Sequence, residues 1–379
     1  MRVLHAPVNI GNQPWNLSRA ERRLGLESWC VSSLPPRYGF SVDKVLARDG
    51  AGGAGVLRRV LFGYGAALRF DVVHLYFGRS LLSFEDAPQL ARRAFDEVRM
   101  ARRLGRKVFM TLQGCEIRQA APTHARAVAA GRPTACAPEA CSAFEACVRT
   151  HDAERRALAE RVFGLFDQVF LLNPDLRHFW PRGQFVPYAS VDVDRLEPRP
   201  PRLQGPIRIA HAPSDRSIKG TRYVVDAVER LKARHDVVLD LVEGVTHAEA
   251  LQRYAEADIV IDQLQVGWYG GFAVETLALG KPTLCYLDAD DLQALPALMR
   301  QEMPIISARP QTLEADLEAL IGRRPQWLDL SRRSAIFARR WHSPDAVAAG
   351  LSALYAGERE TFDILPFLRT PAAIDGILS

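Results

Sequence analysis

Short strands rich in β-branched residues alternate with helical stretches along the whole chain, and this alternation constrains the fold more than any other feature. Val3, Leu4 and His5 read as a first strand, and residues 16–26 follow with helical spacing that stops near Gly25. Further strands are expected at 27–31, 71–76, 107–112, 168–172 and 184–187, with helical stretches between them, as over 87–104. After residue 202 the pattern restarts, with strands at 207–211, 237–242, 259–261 and 282–286 and helices at 221–235, 247–256 and 272–279. Helical crossovers join parallel strands, and a parallel sheet needs cover on both faces to shield its apolar side chains. The expected class is therefore α/β, with doubly wound sheets.

The break in the pattern gives the domain organisation. Residues 194–202, DRLEPRPPR, form a polar, proline-rich linker. It separates an expected first domain at 1–193 from a second at 203–350, and a chain of 379 residues has room for two. Ligands of such folds bind outside the carboxyl ends of the strands, so the cleft between two domains is the expected site. Residues 114–151 carry no strand pattern and read as an insertion into the first domain. That segment holds four of the six cysteines, Cys115, Cys136, Cys141 and Cys147.

Composition excludes several classes. Hydrophobic residues make up 48% and charged residues 25% of the chain, ordinary globular usage that excludes a disordered or low-complexity protein. The net charge is only +5, and no run of five like charges supports a nucleic-acid-binding face. No apolar stretch follows Met1 and Arg2 as a leader would require, and the apolar runs fall far short of the ~20 residues that span a bilayer. A cytoplasmic location with reduced thiols is expected. Phe62, Tyr64, Arg58 and Arg59 hint at peripheral membrane contact, with an ordinary amphipathic helix as the simpler reading.

The most informative stretch is 267–282, GWYGGFAVETLALGKP. Gly270 and Gly271 stand just before a helix, where backbone N–H groups and the helix dipole favour an anion such as a diphosphate. Glu275, on the first turn, can accept two hydroxyl hydrogen bonds of the kind a ribose offers. This stretch resembles the donor-site motif of retaining GT-B glycosyltransferases of family 4. Three further stretches resemble family pieces in the same order: 214–221 (SDRSIKGT), 254–261 (YAEADIVI) and 341–347 (WHSPDAV).

The resemblance implies a GT-B fold, two tandem Rossmann-like domains, and transfer of a sugar from a nucleotide-diphosphate donor to an acceptor hydroxyl with retention. It assigns Lys219 and Glu275 the catalytic places. Donor contacts fall to Arg216, Gly270, Gly271 and Phe272, to Gly244, Val245 and Thr246 near the base, and to Gly11 and Asn12 under the phosphates. It implies no cofactor and no catalytic metal, because basic groups take the metal's place. The first domain is expected to bind the acceptor, whether glycan, lipid or small molecule, and residues 351–379 to return to that domain.

The departures are specific. The family carries an acid eight residues before Glu275, where this chain has Gly267, and Asp262 is the nearby acid that could substitute. Arg216 and Lys219 are three apart, closer than in the family. A catalytically silent relative that binds a nucleotide or glycan, or serves as a partner subunit, is therefore the alternative; an epimerase or phosphorylase fits less well.

In the first domain, the loop 9–13 (NIGNQ) and the turn 111–118 (TLQGCEIR) follow strands. Gln113, Glu116 and Arg118 are candidates to line the acceptor side, with a plain surface turn as the alternative. His74 and His211 can face a cleft or sit hydrogen-bonded in a wall. The four clustered cysteines are compatible with a structural zinc, with disulfides or with free thiols.

Overall fold

The structure, a computed structural model, describes residues 1–36, 39–48, 52–84 and 88–378. The chain folds into two compact units. The first comprises Met1–Arg118, Ala153–Val191 and Pro344–Leu368; the second comprises Gln119–Asp152, Asp192–Ser343 and Arg369–Ser379. The division differs from the expected one in three segments: 119–152 and 369–379 belong with the second unit, and 344–350 with the first.

The first unit is built on seven parallel strands: β1 (Arg2–Ala6), β2 (Glu27–Ser32), β3 (Lys44–Val45), β4 (Val72–Tyr76), β5 (Lys107–Leu112), β6 (Gln168–Leu171) and β7 (Gln184–Phe185). Their spatial order is β3-β2-β1-β4-β5-β6-β7, so the order reverses between β1 and β4. Every residue of β4 is buried, as a central strand covered on both faces requires. The second unit has β8 (Ile207–His211), β9 (Val237–Leu241), β10 (Ile259–Ile261), β11 (Thr283–Cys285) and β12 (Ile306–Ser307), in the order β12-β11-β10-β8-β9, all parallel. The edge strands β3 and β12 are two residues long, too short to show alternation in the sequence.

Helix boundaries follow local chemistry. The first helix is Gln13–Arg23, with proline in its first turn, where the missing N–H costs nothing. The stretch expected as one helix from 87 is a 3-10 turn, Pro88–Arg93, and a helix, Asp96–Arg103, separated by Phe95 at φ 67°; Ala87 lies outside the described residues. The helix Pro344–Ala356 closes the first unit by packing on the helix Gln13–Arg23. There the Tyr355 hydroxyl lies 2.5 Å from Nδ1 of His74. Among the described residues no helix is long and apolar enough to cross a membrane.

Candidate functional site

In the second unit, strand ends bring together residues that are distant in sequence. β8 ends on His211, which is fully buried: its Nδ1 donates to the Ile261 carbonyl at 2.7 Å, and its Nε2 lies 2.9 Å from Thr221 Oγ1. Burial holds its pKa below the ordinary histidine value, so it is a neutral wall residue. The chain then turns through a single helical turn, Arg216–Lys219. Asp215 caps it by accepting from the N–H groups of Ser217 and Ile218, both at 2.9 Å. Gly220, at φ 78°, reverses the chain into the helix Thr221–Leu231.

This turn points Lys219 at β10. Lys219 Nζ donates to Asp262 Oδ1 at 2.7 Å, and the Gly270 N–H donates to Asp262 Oδ2 at 2.8 Å. The Asp262 side chain is fully buried and that of Lys219 is 12% exposed. An ammonium and a backbone amide thus converge on one carboxylate at the start of the helix Gly271–Ala278, whose N-cap, Gly270, has no capping side chain. A Cβ at Gly270 would stand 3.6 Å from Lys219 Nζ, an ordinary contact distance that places the two groups side by side.

Several of the other expected donor residues of the second unit have partners of their own. Glu275 Oε1 is 2.6 Å from His247 Nε2, and that hydrogen bond raises the His247 pKa above the ordinary value. Phe272 packs its ring on Tyr254 with centroids 4.7 Å apart. Gly244, at φ 66°, and the exposed Val245 lead to Thr246, which caps the helix His247–Glu256 in a reciprocal pair with Glu249. Arg216 is exposed and holds Glu243 through Nε at 2.9 and 3.1 Å. A cavity of about 350 Å³ lies beside it, lined by Arg216, Ser217, Thr221 and Arg222 and by Glu139 of the 119–152 segment.

Gly267 takes the place of the family's first acid with its backbone at φ 79°, and a Cβ there would lie 3.2 Å from the Asp288 Cβ. A side chain at this position would be strained and crowded. Asp288 in turn pairs with Arg132 at 2.7 Å, and Arg132 also reaches Asp290 at 2.5 Å. Together with the Ala135 N–H donating to Gln265 O at 2.7 Å, these contacts seat the 119–152 segment on the second unit. The six cysteines form no disulfide. Among the described residues no group of three or more His, Cys, Asp or Glu side chains is placed to hold a metal ion. An arginine ion pair staples the segment instead.

In the first unit, Gly11 (φ 65°) and Asn12 (φ 61°) follow β1 in left-handed conformations, and a Cβ on Gly11 would meet the Gln113 side-chain amide at 3.3 Å. Gly11 and Gln113 are thus neighbours at the carboxyl ends of β1 and β5. Glu116 turns inward and accepts from the N–H groups of Gln113 and, at 2.8 Å, Gly114; burial raises its pKa against those donors. Arg118 holds Asp175 in a bidentate pair at 2.6 and 3.0 Å. Both side chains serve the architecture of the loop. His74 lies in the core, fully buried, with Nδ1 on Tyr355 and Nε2 2.7 Å from Thr111 Oγ1.

Sequence reasoning missed Glu243 and His247, the partners of Arg216 and Glu275. They stand beside the flagged loop 244–246, at a strand end and a helix start, and proximity to that loop was the available signal.

No family model matches the chain, and no curated protein matches it. Among solved structures it is similar to a sucrose-phosphate synthase from Thermosynechococcus elongatus, with a TM-score of 0.60, 13% identity and coverage of 94% of this chain and 98% of that one. It is likewise similar to Anabaena HepE in complex with UDP and glucose (TM-score 0.58, 10% identity, 94% and 100% covered). A glycosyltransferase from Rickettsia africae gives a TM-score of 0.56 at 11% identity, with 94% and 97% covered. At these identities the likeness is one of fold. The architecture is GT-B: two Rossmann-like α/β units in tandem, with parallel sheets of seven and five strands.

Proposed function

We propose that the chain is a glycosyltransferase whose second unit binds a nucleotide-diphosphate sugar and passes the sugar to an acceptor hydroxyl with retention of configuration. The observation that carries this reading is the convergence of Lys219 Nζ and the Gly270 N–H on Asp262, 2.7 and 2.8 Å from its two oxygens, at a helix N-terminus. A cation and an amide already set for one oxyanion are what a leaving diphosphate needs as charge develops on it. In this reading Lys219, whose ammonium has N–H groups beyond the one on Asp262, stabilises the leaving group together with the Gly271 amide and with the Gly270 amide once it leaves Asp262. Arg216 adds charge after releasing Glu243. Glu275 holds the ribose hydroxyls, and the loop of Gly244, Val245 and Thr246 lies near the base. Asp262 keeps Lys219 in place and supplies the acid that Gly267 lacks. The first unit carries the acceptor side, with Gln113 at the end of β5. The nucleotide sugar is the co-substrate, and no metal is invoked.

The test is nucleotide release from a panel of UDP-, GDP- and ADP-sugars with candidate acceptors. Turnover is expected with one donor, and Lys219→Ala and Glu275→Ala should each lower it by about 10²-fold or more, as loss of a transition-state donor or a substrate anchor does. Tight nucleotide binding with no turnover on any donor would overturn the enzymatic reading in favour of a silent binding relative.

A further inference from the structure

The helix Gly52–Arg69 of the first unit packs Val56, Val60, Phe62 and Tyr64 partly against its neighbours and leaves three leucines facing outward. Leu57, Leu61 and Leu68 are 58%, 65% and 58% exposed. At ~100° per residue they fall within about 40° of one another on the helix circumference. The opposite face consists of Gly55, Gly63, Ala66 and Ala67, with Arg59 buried over the Phe84 ring at 4.4 Å. A Cβ on Gly63 would stand 2.9 Å from Leu82 Cδ2, so the small residues are what let the helix lie close to its neighbours. Packing therefore accounts for the glycines and alanines and leaves the leucine stripe without an internal role.

Cations border the stripe on both sides. The helix contains no Asp or Glu. Arg58 and Arg69 lie along one edge of the stripe, Arg69 paired there with Glu27 at 3.7 Å, and Lys44 Nζ sits 5.5 Å from the Phe62 ring centroid on the same edge. On the other edge, Arg93 reaches the Tyr64 hydroxyl at 3.5 Å. An apolar stripe between two cationic borders is the arrangement of a helix lying in the plane of a bilayer, leucines in the acyl boundary and cations among the headgroups. A second copy of the chain seated on this face would bring like charges together.

We propose that this helix docks the protein on an anionic lipid surface through Leu57, Leu61 and Leu68, with Arg58 and its neighbours contacting lipid phosphates. The proposal is independent of the catalytic reading. The test is flotation of the full chain with vesicles of phosphatidylcholine alone and with equal parts phosphatidylglycerol. Binding is expected to the anionic vesicles only and should weaken with salt. The Leu57→Ser/Leu61→Ser variant, altered at exposed positions and checked by an unchanged melting temperature, should abolish it; Arg58→Glu should weaken it several-fold. Absence of wild-type binding to anionic vesicles, or undiminished binding by the double variant, would overturn the proposal. So would a dimer in vesicle-free solution that the double variant dissolves, which would assign the face to a second copy.

Discussion

Arg216, Lys219 and Glu275 each meet the solvent already partnered, with Glu243, Asp262 and His247. The pairs differ in burial, and burial sets their fate when a polyanionic donor arrives. Lys219–Asp262 is enclosed and stays together, whereas Arg216–Glu243 is an exposed pair of small net worth, readily exchanged for phosphate. Glu243→Gln should therefore tighten nucleotide-sugar binding by up to about fivefold, read by titration calorimetry, because the competing carboxylate is gone. An unchanged or weaker affinity would show that Glu243 itself holds the donor.

His247 gives a pH signature. Its folded pKa is raised by Glu275 above the unfolded value of about 6.5. The stabilisation is present in full below pH ~6.5 and is lost as pH rises through the higher folded value. The difference in melting temperature between wild type and His247→Asn should shrink over that rise. Asp262 stood out in the sequence as a nearby acid, but none of these pairings was legible there, because the partners lie 27, 43 and 28 residues from Arg216, Lys219 and Glu275. A motif marks which residues share a loop, and the fold decides which charges meet.

At the scale of elements, the helix Gly271–Ala278 ends in a turn that only glycine fits. Gly280 stands at φ 72°, its N–H donating to Leu277 O at 2.9 Å and that of Lys281 to Thr276 O at 2.9 Å. A Cβ there would approach Ser331 Oγ to 2.7 Å. Gly280→Ala should cost about 1–3 kcal/mol in urea denaturation through backbone strain and overpacking together. The Gly-Lys-Pro stretch, part of the family resemblance, is thus also a structural stop. Glycine in a short motif was legible for this reason: a positive φ and a close approach each leave their mark on the sequence. The edge strands β3 and β12 left no such mark, since a two-residue strand has no period to read.

For the molecule as a whole, each unit is assembled from three stretches of chain. The helix Pro344–Ala356 completes the first unit, and Tyr355 ties it to the centre of the sheet through His74. Tyr355→Phe leaves His74 Nδ1 buried without its partner and should cost about 1–3 kcal/mol of stability, measured by urea unfolding of the full chain. Burial also holds the His74 pKa well below that of a free histidine. The unfolded chain then takes up a proton that the folded one does not, so stability should fall as pH drops below about 6.5.

The sequence by itself determined the α/β class and the chain order of ten strands, because periodicity and turn chemistry act over a few residues; the family resemblance, not periodicity, singled out Lys219, Gly270 and Glu275. Tertiary structure alone decided that the 119–152 segment joins the second unit and that its cysteines stay apart. It also buried His74 and placed Asp262 between Lys219 and the Gly270 amide. Those outcomes depend on contacts between residues far apart in the chain, such as Arg132 with Asp288, 156 positions away. Their energies exist only once the sheets have formed.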